Sequence, residues 1–220
     1  QEKERIARIH RKMASVLWDH MGDVEKAKGH HAEALEILEA EPKNIELASL
    51  DEDMARMYLW TGDATKALSW AEKALDLAKE LNALEIVANS YVTLGRVLIM
   101  TGDTKRGMEC LEGALKMALD NNYVETALWA YMFLGEWTNL PVEGWETIRR
   151  MWECNEKGYE LAKKVGAIRH QSAMGSNLSQ FYFGMGDIGE SITLEEESVA
   201  LDRKAGNMPQ LYWDLTCMAW

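Results

Sequence analysis

Proline and cysteine are scarce, at 3 residues each in 220. Few prolines leave long stretches free to run as helix, because proline removes a backbone donor and clashes with the preceding turn. Cys110, Cys154 and Cys217 are odd in number and far apart, so neither a disulfide framework nor a zinc site is indicated, and reduced thiols inside a cell are expected. No apolar run reaches the roughly 18 residues of a membrane span, and no charged start leads into an apolar stretch as in a secretory signal. A cytoplasmic chain without a membrane partner follows. Basic residues are outnumbered, 24 against 36 acidic, giving a formal net charge of -12. That balance argues against nucleic acid as the main partner, since a phosphate backbone attracts clustered Lys and Arg.

Catalytic signatures are missing too. No glycine-rich phosphate loop follows a strand, and the serines show no nucleophile-elbow pattern. The histidines are His10, His20, His30, His31 and His170, with no pair at the i, i+4 spacing that puts two ligands on one helical face, so no metal is expected. Adjacent His30 and His31 diverge by about 100° on a helix and read as a solvated pair, although His31 shares a column with Ala71 and Leu111 and is expected to be partly buried. Glu195, Glu196 and Glu197 read as a solvated helix face. Neither an enzyme nor a bound cofactor is expected.

What is present is helix-forming and periodic. Hydrophobic residues make up 47% and charged residues 27%, and Ala, Leu, Glu, Lys and Met, which lose little on entering a helix, recur throughout. The dipeptide Gly-Asp stands at Gly22-Asp23, Gly62-Asp63 and Gly102-Asp103, 40 residues apart, and again at Gly186-Asp187. Glycine suits the left-handed residue that ends one helix, and aspartate suits the N-cap of the next. Between these turns lie further loop-like texts, Glu41-Pro42-Lys43-Asn44, Leu81-Asn82-Ala83, Asn121-Asn122, Val165-Gly166-Ala167 and Ala205-Gly206-Asn207. Each unit is thus helix A, turn, helix B, turn, with boundaries at 3–44, 45–83, 84–122, 123–167 and 168–207, then a half unit at 208–220 that points to a longer protein.

Aligned columns carry the packing. In helix A, Ser15, Ala55, Gly95, Gly135 and Ser179 are small in every unit, and the preceding column reads Ala14, Met54, Leu94, Leu134 and Leu178. In helix B a second small column reads Ala34, Ala74, Ala114, Gly158 and Ser198, and three residues on, Ile37, Leu77, Met117, Leu161 and Leu201 form an apolar stripe. Small residues allow close helix approach. Four extra residues around Asn139 to Gly144 replace the turn of the fourth unit with a longer loop, read as variable decoration. Trp18, Trp137 and Trp152 fall in packing columns. Glu195 sits in an otherwise apolar column, from which a less tightly covered fifth unit is expected. Leu211, Trp213, Leu215, Met218 and Trp220 leave the half unit with uncovered apolar surface, so either a continuing chain or self-association through that end is expected.

Tyr91-x-x-Leu94-Gly95-x-x-Leu98 and Tyr131-x-x-Leu134-Gly135, with Ala67 and Ala74 in helix B, resemble the tetratricopeptide (TPR) repeat. The unit is 40 residues instead of 34, and the closing proline appears only near Pro42, so the likeness is to the long repeats of maltose-activator-type regulators, signalling ATPases and cyclase-linked segments. The resemblance implies an all-α, right-handed superhelical solenoid, a single TPR-like body of five repeats plus a half, whose helices A line a concave groove. Its groove positions map onto four columns: Ile9, Ser49, Asn89, Trp129, Ala173, Trp213; Glu52, Val92, Met132, Ser176; Asp53, Thr93, Phe133, Asn177; and Arg56, Arg96, Glu136, Gln180. Arg56, Asn89, Arg96, Trp129, Met132, Asn177, Gln180 and Trp213 are the candidate binding residues, a mixture suited to a polar and apolar ligand. Some relatives clamp a C-terminal carboxylate with Lys and Asn; here only Lys12 fits, while Val16 and Asp53 replace the amides. The implied role is a non-catalytic scaffold or regulatory module binding a protein, a peptide or other domains of the same chain, with sensing of a small-molecule effector by a larger regulator as the alternative.

Overall fold

The Gly-Asp dipeptides end and restart helices as their chemistry requires. Gly62 takes φ +81°, its N–H bonds to Leu59 O at 3.2 Å, the Asp63 N–H reaches Tyr58 O at 3.0 Å, and the Asp63 carboxylate accepts from Lys66 N. Gly22, Gly102 and Gly186 adopt the same left-handed conformation, with φ of 68°, 96° and 84°. Two of the turns between units are built alike with asparagine in glycine's place: Asn82 and Asn122 have φ of 54° and 59°. Asparagine tolerates that region better than other non-glycine residues. Helix starts differ, however. Asp23, Asp63 and Asp187 cap helices B through their side chains, whereas the helices A beginning at Leu84, Val124 and Ile168 have no side-chain cap.

In the computed structural model the described residues are 2–19, 21–136 and 144–217, with the side chains of Pro209, Trp213 and Cys217 outside the description. They form α1 (Glu2–Asp19), α2 (Val24–Glu39), α3 (Ile45–Trp60), α4 (Ala64–Glu80), α5 (Leu84–Met100), α6 (Thr104–Asn121), α7 (Val124–Gly135), α8 (Gly144–Val165), α9 (Ile168–Met185), α10 (Ile188–Ala205) and α11 (Met208–Cys217). Among the described residues there is no strand, and no helix is long and apolar enough to cross a membrane. The expected loop from Asn139 to Glu143 and the packing position Trp137 lie outside them.

The chain divides into two compact units, Gln1–Asn121 and Asn122–Trp220. In the first, the hairpins α1/α2, α3/α4 and α5/α6 each pack helix against helix, and α3 also meets α1 and α5. Its core holds Leu38, Leu50, Ala55, Ala71, Ala78, Val87 and Leu94, while Trp18 packs beside buried Met57 as its column predicts. The small columns lie at the helix crossings: Ala34, Ala74, Ala114 and Ala55 are fully buried. At Gly95 two helix backbones come close together. A Cβ there would stand 2.8 Å from Gly107 O and 2.8 Å from Leu111 Cγ, and one at Gly107 would stand 2.7 Å from Gly95 O.

In the second unit α7 packs on α8 and α9, α9 on α8 and α10, and α11 on α10. Gly135 ends α7, and the Asn155 amide of α8 donates to the Gly135 carbonyl at 2.8 Å, satisfying an acceptor left at that helix end, and to Met151 O of its own helix at 3.1 Å. The column position of Glu195 is buried, not loosely covered as the sequence suggests, and the Ser176 hydroxyl donates to its carboxylate at 3.3 Å. Only Glu196 and Glu197 are solvated, and Glu197 accepts from Tyr159 OH at 3.1 Å. On α11, Leu211 and Asp214 face inward while Tyr212 and Leu215 are exposed. Burial pushes the Asp214 carboxyl up to about 7, helped by a hydrogen bond shared with Asp202 and opposed by the Gln210 amide at 2.8 Å.

Two outcomes are expected. Gly95→Ala should lower the denaturant midpoint, with a cost of about 2 kcal/mol, because the obstructing atom is a backbone oxygen; an unchanged midpoint would show that the helices do not meet there. Asp214 keeps its proton to higher pH when folded than when unfolded, so the folded chain binds more protons between the ordinary carboxylate range and about 7, and stability falls as pH rises through that window. The thermal midpoint should therefore drop more between about pH 5 and about pH 8 in the wild type than in Asp214→Asn. Parallel pH profiles would remove Asp214 from the account.

Candidate functional site

Helix A residues were the sequence-derived candidates, and their burial separates the four columns. In the first unit Glu52, Asp53, Val92 and Thr93 are buried, as are Phe133 and Ser176 in the second. The two central columns therefore lie inside the units instead of lining an open surface. The outer columns stay accessible: Ser49, Arg56, Asn89 and Arg96 in the first unit, and Trp129, Glu136, Ala173 and Gln180 in the second, are half-buried. Met132 and Asn177 from the central columns are also half-buried. The Trp213 side chain lies outside the described residues.

Within the second unit, Trp129 meets the His170 ring edge-on at 4.6 Å between centroids and the Phe133 ring at 5.7 Å. The Asn177 amide donates to Asn155 Oδ1 at 3.1 Å, which also orients the Asn155 amide that caps α7. Aromatic and amide surfaces are thus held in place by neighbours, which reduces the ordering cost when something binds them.

The first unit is dominated by a charge network that the sequence did not announce. Arg11 on α1 donates through Nε to Glu46 at 2.6 Å and through Nη1 to Asp53 at 2.7 Å, both on α3. Arg56 donates to the other Asp53 oxygen at 2.7 Å, and Arg8 donates to Glu46 at 2.7 Å. Burial drives the Asp53 carboxyl up, but Arg56 and Arg11 outweigh it and hold the group below its ordinary value. Glu52, also buried, is raised because desolvation exceeds the pull of Arg56; it accepts from the Thr93 hydroxyl of α5 at 3.1 Å. Arg56 is therefore partly spent on Asp53. The missed signal was Glu46, which stands in a column with Ile6, Ile86, Thr126 and His170 and is itself buried; a buried acid demands a cation nearby, and Arg11 supplies it.

The histidines are rearranged relative to expectation. His31 is fully buried, with neither ring nitrogen hydrogen-bonded, and burial depresses it to about 4. His30 is not its solvated twin: His30 Nδ1 lies 3.0 Å from His10 Nδ1, and Glu33 Oε2 is 2.7 Å from His10 Nδ1. The pairing runs across the α1/α2 hairpin, so spacing within one helix could not reveal it.

Comparison with known proteins places this geometry. Residues 46–120 match the family model described as the tetratricopeptide repeat. No curated protein matches the sequence. Among solved structures, BtubC (BKLC) from P. vanneervenii superposes with a TM-score of 0.65 at 19% identity, over 94% of this chain and 90% of that one. Aspartyl phosphate phosphatase F from Bacillus subtilis gives 0.62 at 14%, over 98% of this chain but only 59% of that one. A putative kinesin light chain with nearly identical TPR-like repeats from Podosopora anserina gives 0.59 at 17%, over 94% and 99%. At these identities the likeness is one of fold.

The network makes Arg11 structurally expensive to remove. Arg11→Met should cost about 3 kcal/mol by stranding buried Asp53 and Glu46, and adding Asp53→Asn and Glu46→Gln should recover part of that loss in urea melts. If Arg11→Met melts like the wild type, the charges are not buried as a set.

Proposed function

We propose, from the premise that this chain has the tetratricopeptide-type repeat fold and that residues 46–120 are tetratricopeptide repeats, that it is a non-catalytic binding module for a protein or peptide. The observation that carries the reading is the contrast between columns of helix A. Columns that pack are filled with small, apolar or internally paired residues, whereas the outer columns change character from one helix to the next and stay half-exposed. A purely structural surface has no need of serine, asparagine and tryptophan at one equivalent position and of arginine, glutamate and glutamine at another.

Each unit contributes its own surface. In the first, Asn89 and Arg96 present amide and guanidinium chemistry that suits a peptide backbone and a carboxylate, beside Arg56, whose guanidinium is engaged with Asp53. In the second, Trp129, Met132, Asn177 and Gln180 combine a flat aromatic ring, an adaptable thioether and amides. The buried carboxylates Glu52 and Asp53 are committed to Thr93 and to Arg11 and Arg56, so the strongest charges of the first unit stabilise the fold and leave recognition to the outer columns. Repeats of this kind bury their faces against neighbours and present what is left.

The test is binding by a partner recovered by pull-down and then measured with purified components. Arg96→Ala and Trp129→Ala should each weaken affinity by about 1 kcal/mol or more with helicity unchanged. Full affinity in both variants would place the working surface off the outer columns of helix A.

A further inference from the structure

The α1/α2 hairpin gathers three potential ligand atoms at one point. His10 Nδ1 lies 3.0 Å from His30 Nδ1 and 2.7 Å from Glu33 Oε2, and His30 Nδ1 is 3.8 Å from the same oxygen. The two rings are 5.1 Å apart between centroids and tilted by 51°, so they meet through their nitrogens and are not stacked. A ring nitrogen has one in-plane lone pair or one N–H. His10 Nδ1 can therefore make a good hydrogen bond to His30 or to Glu33, but not to both, and ordinary hydrogen bonding leaves this trio partly frustrated.

A single cation removes the frustration. With Zn–N and Zn–O bonds of about 2.0–2.2 Å, donors on a tetrahedral site stand about 3.3 Å apart. The observed 2.7, 3.0 and 3.8 Å bracket that spacing. Two imidazoles and one carboxylate are a borderline nitrogen and oxygen set, which suits Zn²⁺ and disfavours Ca²⁺ and Mg²⁺, whose sites are built of oxygen. Access is open: the side chains of His10 and His30 are 24% exposed and that of Glu33 is 59% exposed. His30 also borders a cleft of about 720 Å³ whose walls include Lys12, Met13 and Lys26.

We propose that His10, His30 and Glu33 form a zinc-class metal site that ties α1 to α2 and leaves a coordination position for water or for a ligand atom entering from the cleft. The metal is a clamp on the N-terminal hairpin, and its binding energy adds to the stability of that hairpin.

Titration of the metal-free chain with ZnCl₂ by calorimetry tests this, alongside Co²⁺ absorption to separate nitrogen and oxygen ligation from thiolate binding at Cys110 or Cys154. The expected result is one Zn²⁺ per chain, visible Co²⁺ bands without the sulfur charge-transfer band, and a thermal midpoint raised by Zn²⁺ but not by Mg²⁺. His10→Ala and His30→Ala should each weaken Zn²⁺ at least about tenfold, and Glu33→Gln should weaken it too. Equal affinity in the wild type and both histidine variants, a thiolate signature, or no Zn²⁺ binding would overturn the proposal. Because all three side chains are partly exposed, circular dichroism of each variant should match the wild type, and Glu33→Gln gives a near-isosteric check.

Discussion

Where α5 crosses α6, two helix backbones approach until a single added methyl group would collide with a carbonyl oxygen. Gly95 and Gly107 meet each other's backbone from opposite sides of that crossing. Everything else in the hairpin is arranged by this closeness. The larger residues beside it, Leu94, Leu98 and Leu111, are buried, as close axes allow. The register that buries them also fixes which residues of helix A turn inward and which remain at the surface. Ala55, Ala74 and Ala114 are likewise fully buried in the first unit, whereas in the second unit Gly135 makes room for the Asn155 side chain and Gly158 for those of Met174 and Tyr131.

That constraint explains why the turns and the packing columns were legible in the sequence. A left-handed residue followed by a capping acid has few chemical solutions, so Gly22, Gly62, Gly102 and Gly186 announced themselves, whereas Asn82 and Asn122 stood in texts that read only as loop-like and prove left-handed in the structure. A small residue repeated at a fixed spacing is equally hard to explain except by close approach. Both signals are local or periodic, and a single sequence displays local and periodic information directly.

What stayed hidden depends on pairs of residues in different helices. Nothing in the text of α3 says that Arg11 will reach Glu46 and Asp53, and a groove reading of the Asp53 column follows naturally if that partner is unknown. The same limit applied to Glu195, whose carboxylate accepts from the Ser176 hydroxyl of another helix, and to His10 and His30, whose nitrogens meet across a hairpin. Charged and polar residues in core columns were visible; their partners were not. The outer columns of helix A were legible as varied, which is the property on which a binding role rests, but sequence order gave no measure of how much of each residue is exposed.

The central claim is that reciprocal close approach of two helix backbones organises the α5/α6 hairpin, and a double-mutant cycle on Gly95 and Gly107 tests it most directly. Each glycine to alanine change forces the same two helices apart, so once one is made the second should add little, giving a coupling of about 1 kcal/mol or more between them in urea unfolding. Strictly additive losses would mean that the two positions act independently, and that the shared crossing is not what holds the hairpin together.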